Sequence, residues 1–112
     1  MLLTIIERLR KLVGFRPSRR AVSAAVRRYR AWPGGVTRDG MGDPPAPPLN
    51  PDGSTNWTIT CVGSSQPQIY VWYACWSAWQ TRESNRVQYE MADSNYQSWK
   101  SQYTTCTGGV PV

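Results

Sequence analysis

Nine basic side chains cluster in the first 32 residues of this chain, and they are its groups best suited to contact with a charged partner. Arginine supplies eight of the nine, against a single acidic residue, which gives this segment a net charge of +8. The guanidinium group binds phosphate and carboxylate through paired hydrogen bonds that an ammonium group cannot make. The predicted contact residues for nucleic acid or an acidic partner are Arg8, Arg10, Lys11, Arg16, Arg19, Arg20, Arg27, Arg28 and Arg30.

The remainder of the chain adds no net positive charge. Residues 33–54 contain one basic and three acidic side chains, and residues 55–112 contain three of each, so the whole chain carries +6. Positive charge concentrated in one segment is typical of proteins that meet nucleic acid, an anionic membrane surface or an acidic protein patch. A solvated basic face without a partner is the alternative interpretation.

Groups suited to catalysis or to metal binding are scarce. The chain has no histidine, which removes the commonest general base and the commonest metal ligand. Its acidic residues form no paired motif, and its glycine doublets do not form a phosphate-binding loop. The sequence therefore predicts no catalytic residues, no metal site and no cofactor.

The three cysteines, Cys61, Cys75 and Cys106, lack the spacing of a metal site and of a CxxC redox motif. Because their number is odd, at least one thiol has no partner within the chain. This pattern favours a reducing compartment in which all three are small buried hydrophobic residues. Pairing of Cys61 with Cys106 stays open, but only if the sheet predicted below for residues 55–112 closes on itself.

Aromatic side chains concentrate at the other end of the chain, in residues 55–112. A unit of roughly 60 residues covers only ~60% of the surface of its unfolded chain, so we expect a partner to cover part of this aromatic surface. An ordinary small aromatic core is the alternative. A stacking platform for single-stranded bases is set aside, because this segment is neutral and such platforms need a positive groove. The predicted interface residues are Trp57, Trp72, Trp76, Trp79, Tyr89, Trp99 and Tyr103.

Two amphipathic helices are predicted to carry the basic residues. In residues 1–15 apolar side chains recur at helical spacing along one face, and Gly14 and Pro17 end the pattern. This stretch is too short and too charged to span a bilayer, which needs about 20 mostly apolar residues. A second helix is predicted from Ser18, a suitable N-cap, to about Trp32.

A linker is predicted between the helices and the aromatic segment. Residues 33–54 hold six of the nine prolines and five of the nine glycines, and the proline run at 44–48 favours an extended spacer. The predicted organisation is therefore a basic helical arm at 1–32, a linker at 33–54 and a docking domain at 55–112.

The docking domain is predicted to be a small antiparallel β-meander, which makes the fold class α+β. Alternating patterns and β-branched or aromatic residues favour strands at 56–62, 68–80, 86–92 and 96–106. The alternative is a helical hairpin and a mainly α fold, since Ile69, Trp72 and Trp76 follow helical spacing. The meander is favoured because Asp93-Ser94-Asn95 would interrupt the second helix of a hairpin.

These features predict a non-enzymatic structural subunit of a large assembly, specifically a small protein of the bacteriophage virion such as a minor capsid, cement or head–tail component. Its expected partners are other subunits, in an oligomeric context, and packaged nucleic acid; no membrane partner is expected. Its expected location is the virion, assembled in the host cytoplasm. The alternatives are a small nucleic-acid-binding protein that uses the arginine-rich helices, and a peripheral membrane protein anchored by residues 2–13.

Overall fold

The computed structural model describes residues 16–32 and 44–109, and this part of the chain contains three helices and no strand. Helix α1 spans Arg19–Ala31, α2 spans Gln68–Ser84 and α3 spans Tyr89–Cys106. Helices α2 and α3 form an antiparallel hairpin, and α1 packs against α2. The predicted helix at residues 1–15 lies outside the described residues.

Helix α1 is the helix predicted from Ser18 onward, and the structure confirms it. The Ser18 hydroxyl caps its first turn by accepting a hydrogen bond from the backbone N–H of Ala21 at 3.1 Å. Val22, Ala25 and Val26 recur at helical spacing and are buried against the rest of the chain. The apolar face of α1 therefore fixes the direction in which its charged face points.

The predicted β-meander is wrong, and the described region is mainly α, as in the helical-hairpin alternative. The segment predicted as the central strand is α2, whose buried residues Ile69, Trp72 and Trp76 lie on one helical face. Tryptophan, tyrosine and valine are common in strands because their side chains pack well on a half-buried surface. In this chain the contact between α2 and α3 provides such a surface, so these residues are accommodated in a helix. Residues 56–62 form no strand; Thr60 makes only an isolated bridge with Pro67.

The polar run that was expected to interrupt α3 lies inside that helix. Asp93 Oδ1 accepts a hydrogen bond from the Arg82 guanidinium at 2.9 Å, and Arg82 has only 1% of its side chain exposed. This ion pair between α2 and α3 offsets the poor helix propensity of aspartate. Ser94 and Asn95, the other two residues of this polar run, lie on the exposed side of the helix, where their side chains contact water.

Residues 44–48, termed here the proline strap, pack against the helical hairpin. Pro44, Pro45 and Pro47 are buried. Trp72 Nε1 donates a hydrogen bond to the Pro45 carbonyl at 2.9 Å, and the Tyr103 hydroxyl donates one to the Ala46 carbonyl at 2.9 Å. Because extended proline-rich backbone leaves its carbonyls unpaired, both donors and both acceptors are satisfied by this contact.

A disulfide joins Cys61 to Cys106, and the expectation of three reduced cysteines is therefore wrong. Only Cys75 among them is a free thiol, and it is buried. Backbone pairing brings the two partners together, since the Val62 N–H donates to the Cys106 carbonyl at 2.9 Å. The bridge ties the segment before α2 to the C-terminal end of α3.

Burial of ionisable groups in this core predicts that the fold loses stability in alkali. Burial raises the pKa of the Cys75 thiol and of the Tyr96 hydroxyl to about 12, and it also raises the pKa of Tyr103. The unfolded chain ionises these groups near their ordinary values of about 8.5 for cysteine and about 10 for tyrosine, while the folded chain keeps them protonated. Their stabilisation is complete below about pH 8 and declines as the pH rises toward 12.

Urea denaturation at pH 7.5, 9 and 10.5, followed by tryptophan fluorescence, should show a falling midpoint. The variant Tyr96→Phe keeps the ring and removes one of the groups, so its midpoint should fall less steeply over the same range. Equal slopes for the two proteins would contradict the assignment.

Candidate functional site

The outward side of α1 carries three exposed arginines, Arg20, Arg27 and Arg28, termed here the basic face. Successive helical residues are rotated by about 100°, which places Arg20 and Arg27 opposite the buried face that contains Val22. Within the described residues, no hydrogen bond, ion pair or ring contact engages these three guanidinium groups. They are therefore available to an anionic partner.

The other arginines near α1 contact the chain itself. The Arg19 guanidinium lies 4.3 Å from the centre of the Trp57 ring, and that of Arg16 lies 5.8 Å from the centre of the Tyr70 ring. Arg30 Nη2 donates a hydrogen bond to the carbonyl of Gly53. Exposed cation–π contacts contribute only about 0.5–1 kcal/mol each. Together, the two at the N-terminal end of α1 and the hydrogen bond at its C-terminal end fix the position of α1 on the rest of the chain.

Gly53 is required where Arg30 meets it. Its φ of +90° lies in the left-handed region, and an added Cβ would stand 2.7 Å from Arg30 Nη2. Because the guanidinium ends a flexible side chain and can shift, the positive φ is the feature that favours glycine at this turn.

Aromatic edges attach the inner side of α1 to α2. Tyr29 meets Trp72 and Trp76 edge-on, with ring centres 6.3 and 6.0 Å apart, and Trp32 meets Trp79 edge-on at 5.0 Å. Such aromatic pairs contribute about 0.5–1.5 kcal/mol each beyond the area they bury. The helix that carries the basic face is therefore packed against the tryptophan side chains of α2.

The structure divides the predicted aromatic interface set into two groups. Trp72, Trp76, Trp79 and Tyr103 lie in the core of this chain, each with 4% or less of its surface exposed. Trp57, Tyr89 and Trp99 are half-buried and reach the surface. Residues 55–112 alone are too few to cover these aromatic side chains, but α1 and the proline strap, which lie outside that range, cover part of them. A subunit interface at the second group stays a prediction.

Sequence reasoning did not single out Arg82, which lies at the centre of the chain's buried ionic cluster. Its guanidinium contacts Glu83 Oε2 at 3.1 Å and Asp93 Oδ1 at 2.9 Å, and it lies 4.6 Å from the centre of the Tyr96 ring. The available signal was its position ten residues after Trp72 and three after Trp79, on the face that those tryptophans bury. The cluster joins α2 to α3.

The basic residues Arg8, Arg10 and Lys11 lie outside the described residues. Within 16–32 and 44–109, no group of three or more histidine, cysteine, aspartate or glutamate side chains could hold a metal ion. No helix in those ranges has the length and apolar character needed to cross a bilayer.

Comparisons with known proteins give no relative from which a function could be transferred. No protein-family model, no curated protein and no solved structure matches this chain.

Proposed function

We propose that this protein is a non-enzymatic structural subunit of a bacteriophage particle, and that the basic face of α1 holds nucleic acid in that particle. The observation that carries the proposal is the segregation of the arginines on one helix. Arg19 and Arg30 are used to seat α1 on the chain, whereas Arg20, Arg27 and Arg28 point outward without a partner among the described residues.

The geometry of the basic face suits a phosphate backbone. Arg20 and Arg27 are seven residues apart on the same side of the helix, which separates their Cα atoms by about 10 Å along its axis. Side chains as long as arginine can therefore reach different phosphates of one strand. Contacts of this type give affinity without sequence specificity, as a structural role requires.

Two further features support a place in an extracellular particle. The Cys61–Cys106 disulfide is of a kind that persists in oxidising surroundings, which include the surfaces of virions. The half-buried aromatics Trp57, Tyr89 and Trp99 offer surface of the composition that subunit interfaces favour. The basic face would then meet nucleic acid while other surfaces of the domain meet neighbouring subunits.

The salt dependence of DNA binding tests the proposal. We expect the full chain to bind a fluorescein-labelled 20-base-pair duplex with an affinity that falls linearly with salt on logarithmic axes. Each phosphate contact contributes a slope of about −0.9, so Arg20→Gln/Arg27→Gln should make the slope shallower by about 1.8 and weaken binding at every salt concentration. Fluorescence anisotropy between 50 and 300 mM NaCl measures both quantities.

The matched control removes two positive charges elsewhere. Arg86 is exposed in the connection between α2 and α3, and Lys100 is half-buried on α3. Arg86→Gln/Lys100→Gln should leave the slope within about 0.5 of the parent value. If the two double variants change the slope equally, DNA binding depends only on net charge and the basic face is not its site. An absence of salt-dependent binding would overturn the proposal.

A further inference from the structure

A cleft opens between α1 and α2 directly beside the basic face. Its volume is about 230 Å³. The α1 wall consists of small side chains, Ala21, Ala24 and Ala25, which leave the space between the two helices unfilled. At ~30 Å³ per water in the liquid, the cleft has room for about eight waters, and so for one planar nucleobase but not for a base pair.

The α2 wall of the cleft combines aromatic and hydrogen-bonding groups. Tyr73 and Trp76 supply aromatic surface, and Ser77 and Gln80 supply a hydroxyl and an amide. Trp76 is only 2% exposed, and its indole N–H has no hydrogen-bond partner within the described structure. The Trp79 indole N–H, outside the cleft, lacks a partner in the same way, so the groups of this wall that a ligand can reach are the Tyr73 ring, the Ser77 hydroxyl and the Gln80 amide.

The positive charge at the rim comes from the other helix. Arg28 belongs to both the basic face and the lining of this cleft. The aromatic segment is neutral in sequence, and the docking of α1 on α2 gives it the cationic border that a base-stacking site needs. An aromatic pocket with an amide, a hydroxyl and an adjacent guanidinium can accept a base while the arginine contacts its phosphate.

We propose that the α1–α2 cleft binds one unpaired base, and that the nucleic acid held by the basic face is single-stranded. This inference rests on the proposed function and specifies its partner. In a duplex the bases are stacked and paired, so they cannot enter the cleft without being extruded from the stack. The cleft therefore confers a preference for single strands, while Arg20 and Arg27 contact the backbone of either form.

The test compares 20-nucleotide single strands of DNA and RNA with a 20-base-pair duplex at 150 mM NaCl, using the full chain and fluorescence anisotropy. Stacking contributes about 1–3 kcal/mol per base, so at least one single strand should bind about tenfold more tightly than the duplex. Ala24→Leu fills the cleft with a good helix former and should abolish that difference while leaving duplex binding unchanged. Tyr73→Leu should reduce it, and base binding should quench tryptophan fluorescence in the parent only.

Ser101→Leu is the matched control. It adds the same bulk to a different open cleft, on α3, which Gln97, Lys100 and Thr104 also line, and it should keep the preference for single strands. Urea denaturation confirms that each variant is folded. Equal affinity for single and double strands, or a preference that survives Ala24→Leu in the folded protein, would overturn this inference alone. Loss of salt-dependent binding to both forms of nucleic acid would instead overturn the proposed function.

Discussion

Removal of the Cys61–Cys106 disulfide is expected to lower the free energy of unfolding by about 4 kcal/mol. The bridge spans 45 residues of sequence, and the loop-closure entropy that it removes from the unfolded chain lies between the values for short and for 100-residue loops. In a domain of this size such a loss corresponds to a decrease in melting temperature of roughly 15–30 °C. Thermal melts of Cys61→Ser/Cys106→Ser, followed by circular dichroism, measure it directly.

A thiol titration supplies the chemical control. Protein purified under oxidising conditions should show one reactive thiol, that of Cys75, when it is denatured without reductant. The parent should lose stability on addition of reductant, whereas the double-serine variant should be insensitive to it. Three reactive thiols in the untreated denatured protein would contradict the pairing.

Replacing Asp93 with alanine is expected to destabilise the fold by about 3 kcal/mol, although helix propensity alone predicts the opposite sign. Asp93 sits in the middle of α3, where alanine is the better helix former. Its removal, however, takes the 2.9 Å partner from an Arg82 guanidinium that is 1% exposed. Breaking a buried ion pair from one side costs about 3–5 kcal/mol, and the remaining contact with Glu83, together with the 29% exposure of the Asp93 side chain, places our value at the lower end.

The nearby Asn95 gives the matched control for that experiment. Because it is exposed on the same helix, Asn95→Ala should stabilise the protein by a few tenths of a kcal/mol through propensity alone. Arg82→Met should also destabilise it, and the double variant Arg82→Met/Asp93→Ala should lose less than the sum of the two single changes. If Asp93→Ala stabilises the protein as Asn95→Ala does, the ion pair contributes nothing.

The sequence predicted α1 well because its information is local. Ser18 and the spacing of Val22, Ala25 and Val26 require no knowledge of the rest of the chain, and the cap and buried face are as expected. The α2–α3 hairpin was harder to predict from the sequence, because the spacing of its apolar residues indicates helices whereas their types are common in strands. The Asp93 signal for a break was misread, because its compensation comes from Arg82, 11 residues away in a different helix.

Contacts at long sequence separation account for the other differences. The proline strap matches a spacer by composition, and its packing depends on Trp72 and Tyr103, which lie 27 and 57 residues beyond the carbonyls they bind. The disulfide depends equally on the meeting of two chain segments. The cleft between α1 and α2 belongs to neither helix, so no local pattern could have indicated it. The basic residues of α1 could be named from the sequence, but the contacts that Arg19 and Arg30 make with Trp57 and Gly53 could not, because these partners lie more than 20 residues away.

The disulfide also determines how this chain responds to tension. A pull between the two ends of the chain, as between two anchored parts of an assembly, bypasses the residues between Cys61 and Cys106, because the force passes through the sulfur–sulfur bond. At about 3.5 Å per extended residue, the 45 residues spanned by the bridge correspond to about 150 Å of contour length that cannot be drawn out while it is intact. The α2–α3 hairpin and its ionic cluster are thereby shielded from load, and extension under tension is confined to the parts of the chain outside the bridged loop.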